Sequence, residues 1–169
     1  PKGDGFYRYY RGLYDFMDNL RERFPQVCFE ACASGGMRTD VSTMSHYELH
    51  FLTDTVNPSE VLRISQGAML RLPPYCLSKW IALRGGRSNA RFYNTPKGSE
   101  TSRTFSCSDA TWERIESISP DFASACIFSG VLGVTSDLTS LDESARTTLA
   151  KWISLFKSHR KQLRRSVCY

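Results

Sequence analysis

The amino-acid sequence predicts an α/β fold in which parallel strands alternate with covering helices. Three observations carry that expectation. Tyr10, Leu13, Tyr14, Met17, Leu20 and Phe24 recur at intervals of three and four residues and stop at Pro25, which places them on one face of a helix. Two short apolar runs, one at 27–29 and one beginning at Phe51, each end in a carboxylate. Asn57-Pro58 then opens a second helical pattern. Helices and strands joined by short connections pack most simply as a parallel sheet under helices.

Taken in order, the first helix ends at Pro25, whose ring cannot continue it, and a strand over 27–29 follows directly. Small residues at 33–36 make a turn. A polar stretch leads to a second strand around 49–53. Asn57 is suited to cap the next helix and Pro58 to occupy its first position, with the helix running to about Leu70 and stopped by Pro73-Pro74. Residues 77–83 fit either a strand or a short helix. Residues 85–108, rich in Gly, Ser, Asn and Arg, read as a long exposed loop. Helices are expected at 110–117 and 120–128, and a strand at 130–134. Ser140 and Glu143 have the spacing of a capping box for the last helix, whose inward stripe is Ala145, Leu149, Trp152, Ile153, Phe156 and Leu163. No internal repeat is visible.

Composition bounds the function. A chain of 169 residues with 41% hydrophobic and 23% charged residues can bury a core and is not disordered. Its size predicts one domain spanning 1–169. No apolar run of about 18 residues is present to cross a membrane, and the start, Pro1-Lys2-Gly3-Asp4-Gly5, is no export signal. With no initiator methionine there, the chain reads as processed or as a piece of a longer protein. The net charge of +5 is spread along the sequence, and its one dense cluster, 157–165, falls at a helix end, where cations interact favourably with the dipole. Nucleic-acid binding is therefore not expected.

The cysteines at 28, 32, 76, 107, 126 and 168 form no Cys-x-x-Cys pair, so a zinc ribbon is unsupported. Reduced thiols are the expectation, with a cytoplasmic location slightly favoured. His46 and His50 flank Glu48, but the order is not that of a zinc protease motif, and surface or turn histidines account for them more simply. Neither metal nor organic cofactor is called for.

The segment 27–40, Val-Cys-Phe-Glu-Ala-Cys-Ala-Ser-Gly-Gly-Met-Arg-Thr-Asp, is the most informative. A strand here ends in Glu30 and Cys32, a small-residue turn containing Gly35 and Gly36 lets backbone approach a ligand, and Arg38 and Asp40 bring charge to the same place. Parallel sheets keep ligand sites at this end of their strands.

This segment and Phe51-Leu52-Thr53-Asp54 together resemble glycoside hydrolase family 36, the α-galactosidases and their relatives. The step from Cys32 to Asp54 matches that family without a gap, and the likeness continues through Arg63-Ile64, Gly67 and Leu72-Pro73-Pro74. It returns in 128–134 and in Asp137-Leu138-Thr139. The resemblance implies the C-terminal half of a (β/α)8 TIM-type barrel, since a whole barrel takes about 250 residues.

By the same resemblance the chemistry is retaining hydrolysis of a terminal α-linked galactose or related sugar. It requires a nucleophile and an acid/base, carboxyl groups about 5–5.5 Å apart. Asp54 matches the acid/base. Cys32 and Gly35 match positions that line the sugar subsite. Glu30 and Arg38 are candidate substrate contacts, while Asp40 and Gly36 shape the loop, Asp40 as an ion-pair partner of Arg38. The chain departs from the family at Met37, where a third glycine is usual, at Asn57 in place of an aspartate, and at Val61 in place of an arginine. The nucleophile's Lys-Trp-Asp strand does not occur in 1–169; Lys79-Trp80 is followed by Ile81. The isolated chain is therefore expected to be inactive, its missing partner being the N-terminal half of the barrel or, alternatively, a second copy. A non-catalytic sugar-binding module is the competing expectation.

Overall fold

The computed structural model describes residues 3–85, 104–107, 115–135 and 138–166, and the chain divides into two compact units, Pro1–Phe51 and Leu52–Tyr169.

In the first unit, α1 (Asp4–Arg23) carries the predicted stripe inward. Met17 is buried and Tyr10, Leu13, Tyr14 and Leu20 are half-buried. The helix starts earlier than the stripe because Phe6, Tyr7 and Tyr9 are helical while remaining exposed. It ends where the Phe24 N–H donates to the Leu20 carbonyl, one residue before Pro25. Strand β1 (Glu30–Ala31) pairs in parallel with β2 (Leu49–Phe51), Glu30 opposite Leu49 and Ala31 opposite His50.

The strand expected at 27–29 therefore lies further along the chain. Val27 is 44% exposed. The Phe29 N–H is taken by the Glu48 side chain, so regular strand pairing begins only at Glu30. An apolar run marks residues that suit a strand, but the partner decides where the ladder starts. The polar stretch holds a short helix, α2 (Val41–Ser45), which no apolar period announces because five residues make little more than one turn. The second strand ends at Phe51, short of the expected 53.

Side chains tie these elements together. Arg21 Nε meets Glu48 Oε1 at 2.6 Å, and the other Glu48 oxygen accepts from the Phe29 N–H at 2.9 Å. His46 stacks on Tyr14 with ring centroids 4.1 Å apart and bonds Asp18 at 2.9 Å. The Tyr14 hydroxyl meets that of Thr43 at 3.1 Å. His50 departs from the surface or turn position expected of it: it is 1% exposed, and neither ring nitrogen has a hydrogen-bond partner.

The second unit opens as the sequence predicts. The Asn57 side chain accepts from the Glu60 N–H at 3.1 Å, Pro58 takes the first helical position, and α3 (Pro58–Met69) follows. A 3₁₀ turn, Pro74–Cys76, leads into β3 (Leu77–Ala82), which resolves the strand-or-helix ambiguity. Next come β4 (Arg84–Gly85), β5 (Thr104–Cys107) and β6 (Ile115–Ser117), an antiparallel sheet. The expected 85–108 loop thus contains strand at 104–107, and its residues 86–103 and 108 lie outside the described residues. The helix expected at 110–117 is replaced by strand at 115–117, because pairing with β5 overrides local preference; 110–114 lie outside the described residues.

Helix α4 (Pro120–Ile127) and strand β7 (Val131–Thr135) occupy nearly the expected positions. Strand β7 runs parallel to β3, Ser78 opposite Val131 through Ala82 opposite Thr135. Of the late family motif, Asp137 lies outside the described residues. The last helix, α5 (Glu143–Leu163), is capped by Asp142, whose carboxylate accepts from the Ala145 N–H at 2.7 Å. Ser140 belongs to a preceding 3₁₀ turn, Leu138–Ser140, so the predicted capping box is replaced by a single aspartate cap.

The core of this unit joins Ile81 and Leu83 to Val61 of α3, Ala123 and Ile127 of α4, and Ala145 and Leu149 of α5, with Leu141 closing one side. Truncating a fully buried Leu or Ile here to Ala would cost about 2–5 kcal/mol. On the other face of the strand pair, the Trp80 ring lies over Gly133, where a Cβ would come within 2.7 Å of it. Among the described residues no helix is long and apolar enough to cross a membrane.

Candidate functional site

The residues expected at the site fall on the loops after β1 and β2. In the first unit, Glu30 begins β1 and is exposed, as is Cys32 just past its end. The chain then bends through two left-handed residues, Ser34 at φ 47° and Gly35 at φ 72°. Glycine meets this conformation without strain, whereas a serine there costs free energy that the surrounding loop must offset. The Ala33 N–H donates to the Gly35 carbonyl at 3.3 Å and Ala33 bridges Gly36. Gly35 is buried and Gly36 exposed. The turn thus brings bare backbone beside an exposed thiol at the carboxyl end of β1.

Arg38 and Asp40 do not pair, contrary to expectation. Asp40 caps α2, accepting from the Thr43 N–H at 2.9 Å and from its hydroxyl at 2.8 Å. Burial pushes this carboxyl up, but the Thr43 bonds prevail and hold it below the usual range. The cap is the stronger claim on Asp40 because two donors are delivered by its own helix. Arg38 instead stands beside the phenols of Tyr9 and Tyr10 and, with Gly5 and Phe6, lines an open cleft of about 490 Å³. No ion pair among the described residues includes it. Four aromatics within five positions, Phe6, Tyr7, Tyr9 and Tyr10, were the sequence signal for this cleft, and a reading confined to the inward stripe passes over it.

Asp54 lies in the second unit, between the end of β2 and the start of α3. It is exposed, while Leu52 before it and Thr55, Val56 and Asn57 after it are buried. The Leu52 N–H donates to the Ser78 carbonyl at 3.3 Å, anchoring the loop to β3. Beyond Asp54, the Thr55 N–H donates to the Thr53 hydroxyl at 3.2 Å and the Asn57 N–H to the Thr55 hydroxyl at 3.3 Å. Within this unit no described group pairs with the carboxylate. A solvent-facing carboxyl held by pinned backbone on both sides can exchange protons with a ligand without carrying its loop along. The structure therefore places Glu30, Cys32, Gly35, Gly36, Arg38 and Asp40 in the first unit and Asp54 in the second.

Comparison with known proteins gives one consistent answer. The family model described as Melibiase matches residues 2–165. The α-galactosidase Mel36A of Lactobacillus acidophilus is 29% identical over 96 residues, 56% of this chain and 13% of that protein. The crystal structure of the GH36 α-galactosidase AgaB from Geobacillus stearothermophilus superposes with a TM-score of 0.72 at 22% identity, covering 94% of this chain and 18% of that one. AgaA variant A355E D548N from the same organism, in complex with raffinose, gives 0.70 at 20% identity, again over 94% of this chain and 18% of the other. The chain thus spans less than a fifth of each of these relatives, and its fold is that of part of a (β/α)8 barrel.

Proposed function

The chain belongs to the melibiase family, and we propose that it is the second half of an α-galactosidase catalytic barrel, supplying the acid/base carboxyl Asp54 while the nucleophile lies outside 1–169. The observation that supports this reading is the exposed Asp54 carboxylate on a loop whose Leu52, Thr55, Val56 and Asn57 are buried and which is held by hydrogen bonds; by the resemblance of 27–54 to the family, Asp54 matches the acid/base.

In the double displacement, Asp54 gives its proton to the departing glycosidic oxygen as the nucleophile forms the glycosyl–enzyme bond. It then takes a proton from the water that breaks that bond, which restores both carboxyls. Cys32 and the Gly35 backbone shape the sugar subsite, and Glu30 supplies an exposed acceptor for a sugar hydroxyl. The substrate is a terminal α-galactoside or a close relative; raffinose, held by the AgaA structure, is the natural first choice for assay.

The test uses the full-length protein that carries this segment. Asp54→Asn should lower raffinose turnover by about 10²–10⁴-fold, with a smaller loss on aryl galactosides, whose leaving group needs no proton. Undiminished raffinose turnover would overturn the assignment. A second reading, a non-catalytic sugar-binding module, is favoured by Met37 and Asn57 standing where the family has glycine and aspartate. Sugar binding without turnover in the full-length protein would select it.

A further inference from the structure

We propose that the cleft formed by Phe6, Tyr9, Tyr10 and Arg38 is a second carbohydrate subsite, which holds a pyranose ring of an oligosaccharide by stacking and by hydrogen bonds from the guanidinium. The proposal rests on the glycosidase reading for its ligand class, but not on any role of Asp54.

Phe6, Tyr9 and Tyr10 sit three and four positions apart and so share one side of helix α1. The rings of Tyr9 and Tyr10 lie 5.3 Å apart at 80° to each other, which makes a concave corner. Phe6 and Tyr9 are 74% and 51% exposed, so neither ring packs into the core of the described residues. Arg38 enters the same corner from the loop after β1, the end of a parallel strand at which barrel ligands bind. A volume of about 490 Å³ falls within the range of small-molecule sites.

The donor set selects the ligand. A pyranose presents an apolar C–H face to an aromatic ring and hydroxyls around its edge. The cleft offers three rings, two phenol hydroxyls and a guanidinium that stands beside both phenols and has no carboxylate partner among the described ion pairs. An anion such as phosphate would call for converging cations or backbone N–H groups, and the cleft has a single cation.

The experiment is an NMR titration with raffinose of the full-length protein that carries this segment, unmodified, as the Phe6→Ala/Tyr9→Ala double variant and as Asp54→Asn, with raffinose turnover measured on the same samples. Both aromatic positions are on the exposed side of α1, so the double variant should keep its far-ultraviolet circular dichroism and melting temperature. Raffinose should shift the resonances of Tyr9, Tyr10 and Arg38, and the double variant should bind about tenfold more weakly. The shifts at the cleft should persist in Asp54→Asn. Unchanged affinity in the folded double variant would overturn the proposal, as would inorganic phosphate moving Arg38 where raffinose does not. Cleft shifts that persist while Asp54→Asn keeps full turnover would sink only the hydrolytic assignment. Loss of turnover in Asp54→Asn with no response at the cleft would sink only this subsite.

Discussion

The Lys79 ammonium donates to the Ser129 hydroxyl at 2.9 Å inside the second unit, where the lysine is 1% exposed. Gly130 makes room for it: a Cβ there would come within 2.6 Å of both the lysine Cε and the Leu77 carbonyl oxygen. Burial lowers this ammonium to about 8, against a weaker opposing pull from Cys126.

The fold therefore works against a charged Lys79. The penalty is absent above the ordinary value of 10.5, grows as pH falls towards about 8, and is constant below that. The gap corresponds to on the order of 3 kcal/mol. Lys79→Met removes the charge and forfeits the Ser129 bond, so at pH 7 it should stabilise the unit by about 1–2 kcal/mol and flatten its stability between pH 8 and 10. Urea denaturation at several pH values measures both; a destabilised variant at pH 7 would contradict the account.

Acid should weaken the first unit in two steps. Burial lowers His50, against Asp40 and Glu30, so the native state resists its protonation and stability falls as pH drops below 6.5. Asp40 and Glu48 are held low in the fold, so their contribution is complete above about 4.5 and is lost as pH falls through their native values. Hydrogen exchange of α2 and β2 amides should show both limbs, and His50→Leu should abolish the upper one alone.

Glu48 should matter more than its ion-pair partner. Arg21→Ala removes the pair with Glu48, in which each side chain is 35% exposed, a 3.6 Å approach to Asp18 and an exposed bond to the Ser45 carbonyl. It leaves no buried group unpaired, so a loss of about 0.2–1 kcal/mol is expected. Glu48→Ala removes that contact and also leaves the Phe29 N–H without its acceptor, so about 1–3 kcal/mol is expected. Thermal melts of both variants decide it, and equal losses would argue against the dual role.

Asn57 links the helix start to the candidate acid/base. Asn57→Ala should cost about 1 kcal/mol through loss of the α3 cap, while Asn57→Asp should keep it. In the full-length protein the alanine variant should lose raffinose turnover by loosening the Asp54 loop, and the aspartate variant should retain it.

The amino-acid sequence by itself determined the elements whose signals are local. These are the α1 stripe and its stop at Pro25, the Asn57–Pro58 helix start, the inward face of α5, and the motif from Cys32 to Asp54 that carried the family. Each depends on residues a turn or a few positions apart, and such patterns survive in one dimension. Only the tertiary structure decided the rest, because the deciding partner lies far along the chain. Pairing with Leu49 moved the first strand to Glu30, and pairing with Phe105 made 115–117 a strand. Thr43 took Asp40 away from Arg38, and Tyr9 and Tyr10, some thirty positions earlier, drew Arg38 into an aromatic cleft.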